Sequence, residues 1–347
     1  MTNTRRLLRW LAVIVLPMPA IGGAAGGSTG LQRDVVFSDY FALSSSAELV
    51  HRLLSPLNAV RVSQRLAHSP VAVRDQPIDL EKERFTVYVP ANAPADGYGL
   101  LVFIPPWENA ALPPGWAAVL ERHGVIFVSA ANSGNDANVL DRREPLALLA
   151  AHNIAQRFHV DPQRTYIGGY SGGSRIALRL ALGFPDVFRG AFLNAGSDPI
   201  GDAELPLPPA DLFSLFQETS RIVYISGQND AVNVGKDAAS ERSLLEWCAF
   251  DLYVERSPWM EHEVAGPAVL GRALDMLDKH AIPNPARLSH CRLRIDQEME
   301  KAMAQANDLV AAGNADGARR SLDKIDTRFG GLAAPRSVDL AARIGMD

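Results

Sequence analysis

Three residues far apart in the chain have types that together can open an acyl bond. Ser171 is the centre of Gly169-Tyr-Ser171-Gly-Gly173. Asp230 ends the run Gly227-Gln-Asn-Asp230, and His262 closes Ser257-Pro-Trp-Met-Glu-His262. A serine hydroxyl attacks a carbonyl when a base takes its proton, and a histidine base needs a carboxylate to orient it. The chain order serine, acid, histidine is the one expected when the serine sits on a sharp strand-to-helix turn.

Gly-x-Ser-x-Gly alone is weak evidence. Gly26-Gly-Ser28-Thr-Gly30 matches the same pattern. That run lies in a glycine-rich stretch from Gly22 to Gly30, which reads as a flexible tether with neither strand nor helix beside Ser28. Ser171 has both. Thr165-Tyr-Ile reads as a strand, and a helix is predicted from Ser171 to about Leu182, stopped by Gly183 and Pro185. Gly169 and Gly173 let strand and helix approach without a side-chain clash.

The acid and the base must stand at later strand ends. Arg221-Ile-Val-Tyr-Ile-Ser226 reads as a strand, which puts Asp230 just past its carboxyl end. Leu252-Tyr-Val-Glu255 reads as the last strand, and His262 follows it on a loop before a helix beginning near Pro267. Asp237 and Asp251 lie in or beside a helix and are poorer acids; His280 and His290 lie at or past the last helix and are poorer bases. His51 and His68 read as surface or packing residues.

An oxyanion also needs donors. The N–H of Gly172, next to the nucleophile, is one. The other is expected after the strand Gly99–Ile104, where the chain reads Pro105-Pro106-Trp107-Glu108. Proline has no N–H, so Trp107 is the first possible backbone donor. Trp107 serves equally as a pocket wall or as ordinary packing. Tyr170 and Trp259 are candidate substrate contacts, and Trp116 is a further candidate, with core packing the role of at least one tryptophan.

These elements imply a frame. Phe85–Val89, Gly99–Ile104, Gly124–Ser129, Thr165–Ile167, Gly190–Gly196, Arg221–Ser226 and Leu252–Glu255 read as strands. Helical patterns alternate with them at 115–123, 145–158, 172–182, 240–250 and 266–280. Such alternation predicts an α/β fold with a mostly parallel, doubly wound sheet, whose sites lie at the strands' carboxyl ends. Four segments follow: an export signal and the start of the tether at 1–26, a partly helical prefix at 27–82, the catalytic domain at 83–285, and a helical hairpin at 286–347. The hairpin reads as helices over 294–311 and 316–328, with a third segment at 338–344.

The residues just described resemble the α/β-hydrolase superfamily. Within it, residues 83–280 resemble the branch of polyhydroxybutyrate depolymerases and feruloyl esterases. The similarity rests on Asn153-Ile-Ala-Gln-Arg-Phe-His-Val-Asp161-Pro-Gln-Arg-Thr-Tyr-Ile-Gly-Gly-Tyr-Ser171-Gly-Gly, continued by Phe184-Pro-Asp-Val-Phe188. The resemblance implies a secreted serine esterase of short hydroxyacyl or aromatic esters, small or polymeric, with no cofactor. It carries the nucleophile to Ser171, the acid to Asp230 and the base to His262. Where that branch has His-Gly after the oxyanion strand, this chain has Pro105-Pro106. The prefix and the hairpin lie outside the matched region, and the hairpin is expected to pack on the main domain or on a protein partner.

Composition agrees with an exported globular protein. The chain has 347 residues and a formal net charge of -5. Arg5, Arg6 and Arg9 precede the apolar run Trp10–Leu16, which is too short to span a bilayer, and small residues follow to Gly27. The expectation is a cleaved signal and a periplasmic or extracellular protein without stable membrane insertion. An acidic chain without a basic cluster does not fit nucleic-acid binding. Cys248 and Cys291 allow one disulfide or two separate buried thiols, and neither has the neighbours of a metal site. Two rival readings stay open at this level: a serine peptidase, and a non-catalytic envelope-binding protein on a hydrolase scaffold.

Overall fold

A computed structural model describes residues 28–69, 74–279 and 283–346. The expected export signal at 1–26 and His280 lie outside the described residues. One eight-stranded sheet organises the rest. Its strands are β1 (Gly30–Val35), β2 (Phe85–Val89), β3 (Tyr98–Ile104), β4 (Val125–Ala130), β5 (Val160–Tyr170), β6 (Gly190–Asn194), β7 (Arg221–Gly227) and β8 (Leu252–Ser257). Their spatial order is β1-β2-β4-β3-β5-β6-β7-β8. β1 and β2 pair antiparallel, as do β2 and β4, and every pairing from β4 to β8 is parallel.

The apolar runs read as strands are buried on both faces. Leu100, Val102 and Ile104 of β3 face one core, with α4 (Glu144–Arg157) and α5 (Gly172–Gly183) packed over it. Leu101 and Phe103 face the other, beneath α3 (Trp116–His123) and α8 (Pro267–Leu277). A continuous Leu-Leu-Val-Phe-Ile run is what a strand sandwiched between two helical layers requires. Trp116 is fully buried in the second core, and its indole N–H donates to the Ala265 carbonyl at 2.9 Å. It is a core residue, not a pocket wall.

Two sequence expectations change. β1 falls inside the segment expected to be a partly helical prefix, and it extends the main sheet. Its strand therefore stands close to Ser28, but it follows that serine instead of feeding it, so Ser28 has no elbow. The strand expected at Thr165–Ile167 is longer: β5 starts at Val160, and Asp161-Pro-Gln-Arg164 is an irregularity within it where the pairing with β3 shifts register. The Asp161 carboxylate accepts the Gln163 N–H at 2.8 Å, a local turn of the kind aspartate and proline favour.

The flanking segments pack against each other. The prefix forms α1 (Ser46–Leu53) and α2 (Pro56–Ala67). Beyond the remaining sheet helices α6 (Ala210–Thr219) and α7 (Val234–Glu246), the carboxyl-terminal part forms α9 (Pro285–Ala311), α10 (Ala315–Phe329) and α11 (Arg336–Arg343). α9 starts well before the expected residue 294 because Asn284 accepts the N–H groups of Ala286 and Arg287, and Pro285 fits the first helical position. Cys248, just after α7, is disulfide-bonded to Cys291 of α9. Asp326 of α10 is buried and accepts from the Ser55 hydroxyl at 2.5 Å and the Leu57 N–H at 3.0 Å, capping α2 from 269 residues away. No helix among the described residues is long and apolar enough to cross a membrane.

Asp326→Ala removes the cap and leaves a buried hydroxyl and N–H without their acceptor. The expected loss is about 2 kcal/mol of unfolding free energy. Urea denaturation checks it.

Candidate active site

β5 delivers Ser171 directly into the first turn of α5. The serine backbone is at φ 54° and ψ -122°, a left-handed conformation that costs a non-glycine residue roughly 1–3 kcal/mol. The surroundings impose it. A methyl on Gly173 would overlap the Ile104 carbonyl, and one on Gly169 would overlap the Gly173 backbone. Strand and helix therefore meet at backbone distance, as the two glycines predicted. A third glycine does the same unannounced. Gly196, after β6, lies so close to the Ser171 carbonyl that a methyl there would overlap it.

The three sequence candidates come together at the carboxyl edge of the sheet. His262 Nε2 lies 3.0 Å from Ser171 Oγ, and His262 Nδ1 lies 2.9 Å from Asp230 Oδ2. Asp230 is buried, while the His262 side chain is about one-third exposed. Burial pushes the Asp230 carboxyl up. Hydrogen bonds from His262 and from the N–H groups of Asn233 and Val232 outweigh that and hold it below the ordinary aspartate value. An ionised Asp230 accepts the Nδ1 proton, which leaves Nε2 free to accept from the serine. The Asn233 amide nitrogen donates to Asp230 Oδ2 at 3.4 Å; it also lies 3.0 Å from His262 Nδ1, which, protonated toward Asp230, has no lone pair to accept from it.

Two residues tie down the histidine loop. Tyr170 donates to the His262 carbonyl at 2.8 Å, and its ring centroid lies 5.1 Å from the imidazole and 5.9 Å from the Trp107 indole. Asn194, buried at the end of β6, donates to the Glu263 carbonyl at 3.2 Å and accepts the Ala265 N–H at 2.7 Å. Asn194 escaped the sequence reading, since a lone asparagine at a strand end carries no motif. Of the other sequence candidates, Trp107 is half-buried at the oxyanion strand's end, and Trp259 is 86% exposed on the loop leading to His262.

The rejected acids have other partners. Asp237 is buried and accepts hydroxyl hydrogen bonds from Ser197 and Ser226, both at 2.7 Å, which fastens the ends of β6 and β7 together. Asp251 pairs with Arg221 at 2.6 Å. His290 lies on α9, outside the hydrogen-bonded line of Ser171, His262 and Asp230.

Beside Gly172 opens a cavity of about 390 Å³, lined by Asn135, Arg143, Gly172, Arg175, Asp198 and Leu205 among others. A larger, open hollow of about 700 Å³ involves only side chains of α2 and its end, Arg61, Gln64, Arg65 and His68, with no reacting group beside it. Among the described residues no group of three or more His, Cys, Asp or Glu could hold a metal ion.

The strand order, the parallel frame and a serine elbow with its acid and histidine at later strand ends define the α/β-hydrolase fold. Comparison with solved structures returns members of several hydrolase groups. S-formylglutathione hydrolase from Staphylococcus aureus matches with TM-score 0.46 at 13% identity, over 61% of this chain and 96% of that one. Acetyl xylan esterase from Aspergillus awamori matches with TM-score 0.42 at 12% identity, over 57% and 94%. Dipeptidyl peptidase 4 from Porphyromonas gingivalis matches with TM-score 0.41 at 13% identity, over 57% of this chain and only 34% of that one. No protein-family model and no curated protein matches the chain.

Two predictions follow from the packing. Gly196→Ala must displace the Ser171 backbone, so the serine should react with a fluorophosphonate at least about tenfold more slowly, as read by the labelling rate. The second concerns Glu144, fully buried and paired with Arg179 at 2.6 Å. Burial raises its carboxyl from 4.5 to about 7 against the pull of Arg179. The folded chain then keeps a proton that the unfolded chain releases, so this residue's contribution to stability is full below about pH 4.5 and declines as pH rises toward 7. Urea midpoints of wild type and Glu144→Gln at pH 5 and pH 7 should diverge, wild type losing more; parallel shifts would mean that Arg179 keeps Glu144 ionised throughout.

Proposed function

We propose that this chain is an exported serine ester hydrolase working through an acyl-enzyme. The observation that supports it most is the continuous hydrogen-bonded line from Ser171 through His262 to Asp230. Ser171 Oγ attacks the ester carbonyl carbon while His262 Nε2 takes its proton, and the carbonyl electron pair moves onto oxygen. The tetrahedral oxyanion lies against the N–H groups of Gly172 and Trp107. Gly172 is the first residue of α5, where N–H groups have no acceptor within the helix and the dipole favours negative charge. Collapse re-forms the carbonyl and expels the alcohol, which takes its proton from His262. Water then attacks the acyl-serine with His262 again as base, and the acid leaves with Ser171 restored. No step needs a cofactor.

The substrates we assign are short hydroxyacyl or aromatic carboxylic esters, on the strength of the run 153–188 and the modest cavity beside Gly172. Tyr170 and Trp259 are the proposed substrate contacts, the first beside the imidazole and the second at the rim. Secretion is proposed on the basic and apolar pattern of residues 1–26.

Wild-type protein should hydrolyse p-nitrophenyl acetate and take a fluorophosphonate on Ser171. Ser171→Ala should abolish both, and Asp230→Asn should lower turnover by about 10⁴ through the loss of the oriented imidazole. Full hydrolysis by Ser171→Ala would overturn the assignment, and an unlabelled folded wild type would favour a binding protein. Matched ester and peptide substrates separate esterase from peptidase.

A further inference from the structure

We propose that the side-chain amide of Asn135 is an oxyanion donor, acting together with the Gly172 and Trp107 N–H groups on the reading just given. Pro105 and Pro106 stand where the chain leaves β3, so two of the positions that could point a backbone N–H into the hole have none. The loop after β4 offers a side-chain donor in their stead. A methyl group on Gly172 would overlap Asn135 Oδ1 and would lie 3.1 Å from Nδ2, so the amide lies across the residue whose N–H faces the reacting carbonyl. A half-turn of the amide exchanges O and N, so its N–H groups can turn to that side. Asn135 is exposed to the cavity beside Gly172, and among the described residues its amide makes no hydrogen bond to protein. A polar side chain beside Gly172 with its donors free is ready for a charge that appears only during reaction.

The backbone that carries the amide is held in place. The loop 131–137 is laced to the loop 105–110 at three levels. Asn132 N–H donates to the Glu108 carbonyl at 2.6 Å, and Asn135 N–H donates to the Pro106 carbonyl at 3.0 Å. Arg143 is buried, and its guanidinium donates to the Ser133 carbonyl at 2.9 Å and the Pro105 carbonyl at 3.1 Å, so one side chain pins both loops. A methyl on Gly134 would stand 2.9 Å from the Trp107 carbonyl carbon, which brings the two backbones together beside Asn135. With the backbone fixed, only the side-chain torsions of Asn135 need adjust when the oxyanion forms.

The test uses the full chain with p-nitrophenyl acetate and a fluorophosphonate, whose phosphoryl oxygen must occupy the same hole. Asn135→Ala and Asn135→Asp should each lower kcat by about 10²–10³ with KM nearly unchanged, and should slow labelling by a similar factor. The aspartate keeps the shape and loses the donors, so it should be the slower of the two. Gly172→Ala keeps its own N–H but must push the Asn135 amide aside. Its loss should overlap that of Asn135→Ala in the double variant instead of adding to it. Unchanged kcat, or a rise in KM alone, would make Asn135 a wall of the cavity and overturn this inference while leaving the hydrolase reading intact. A wild type that neither hydrolyses nor labels would overturn both.

Discussion

A serine held at φ 54° and ψ -122° must be held by its neighbours, because nothing in its own chemistry favours that conformation. Three glycines do the holding. Gly169 and Gly173 bring the end of β5, the start of α5 and the end of β3 into backbone contact, and Gly196 seats the end of β6 against Ser171 itself. Any side chain at these positions would have to push apart elements already fixed by the parallel sheet. The strain at Ser171 is therefore sustained by core packing on both faces of the sheet. In return the hydroxyl stands clear of the backbone, within reach of His262.

The same economy governs the polar groups. Buried polar side chains at this edge of the sheet fix neighbouring segments. Asn194 from β6 holds the histidine loop, and Asp237 joins the Ser197 and Ser226 hydroxyls across β6 and β7. Asp230 is saturated by donors. Buried polar groups without partners would cost about 1–3 kcal/mol each, so the cluster holds its geometry because it is nearly fully bonded.

Much of this was legible in the sequence. The strands from β2 to β8 announced themselves as apolar runs of strand length, and their alternation with helices implied the parallel frame. Ser171, Asp230 and His262 were legible because chain order and strand-end placement are one-dimensional facts. β1 was not, since Gly30-Leu-Gln-Arg-Asp-Val35 is mostly polar and gains its place from backbone pairing with β2. Asn135 and Asn194 were hidden for a different reason. An asparagine reads as a turn or surface residue until the fold shows which carbonyls, N–H groups or empty space it faces. Cys248 and Cys291 posed a question of distance, which only the docking of α9 answers.

The cap on α2 has a consequence for how the protein comes into being. Ser55 and Leu57 leave the ribosome early, and the aspartate that completes their helix is synthesised 269 residues after Leu57. Until Asp326 is made, the first turn of α2 lacks this acceptor. Ser171, Asp230 and His262 all precede Asp326 in the chain, so the tie between α2 and α10 is the later of the two to become possible.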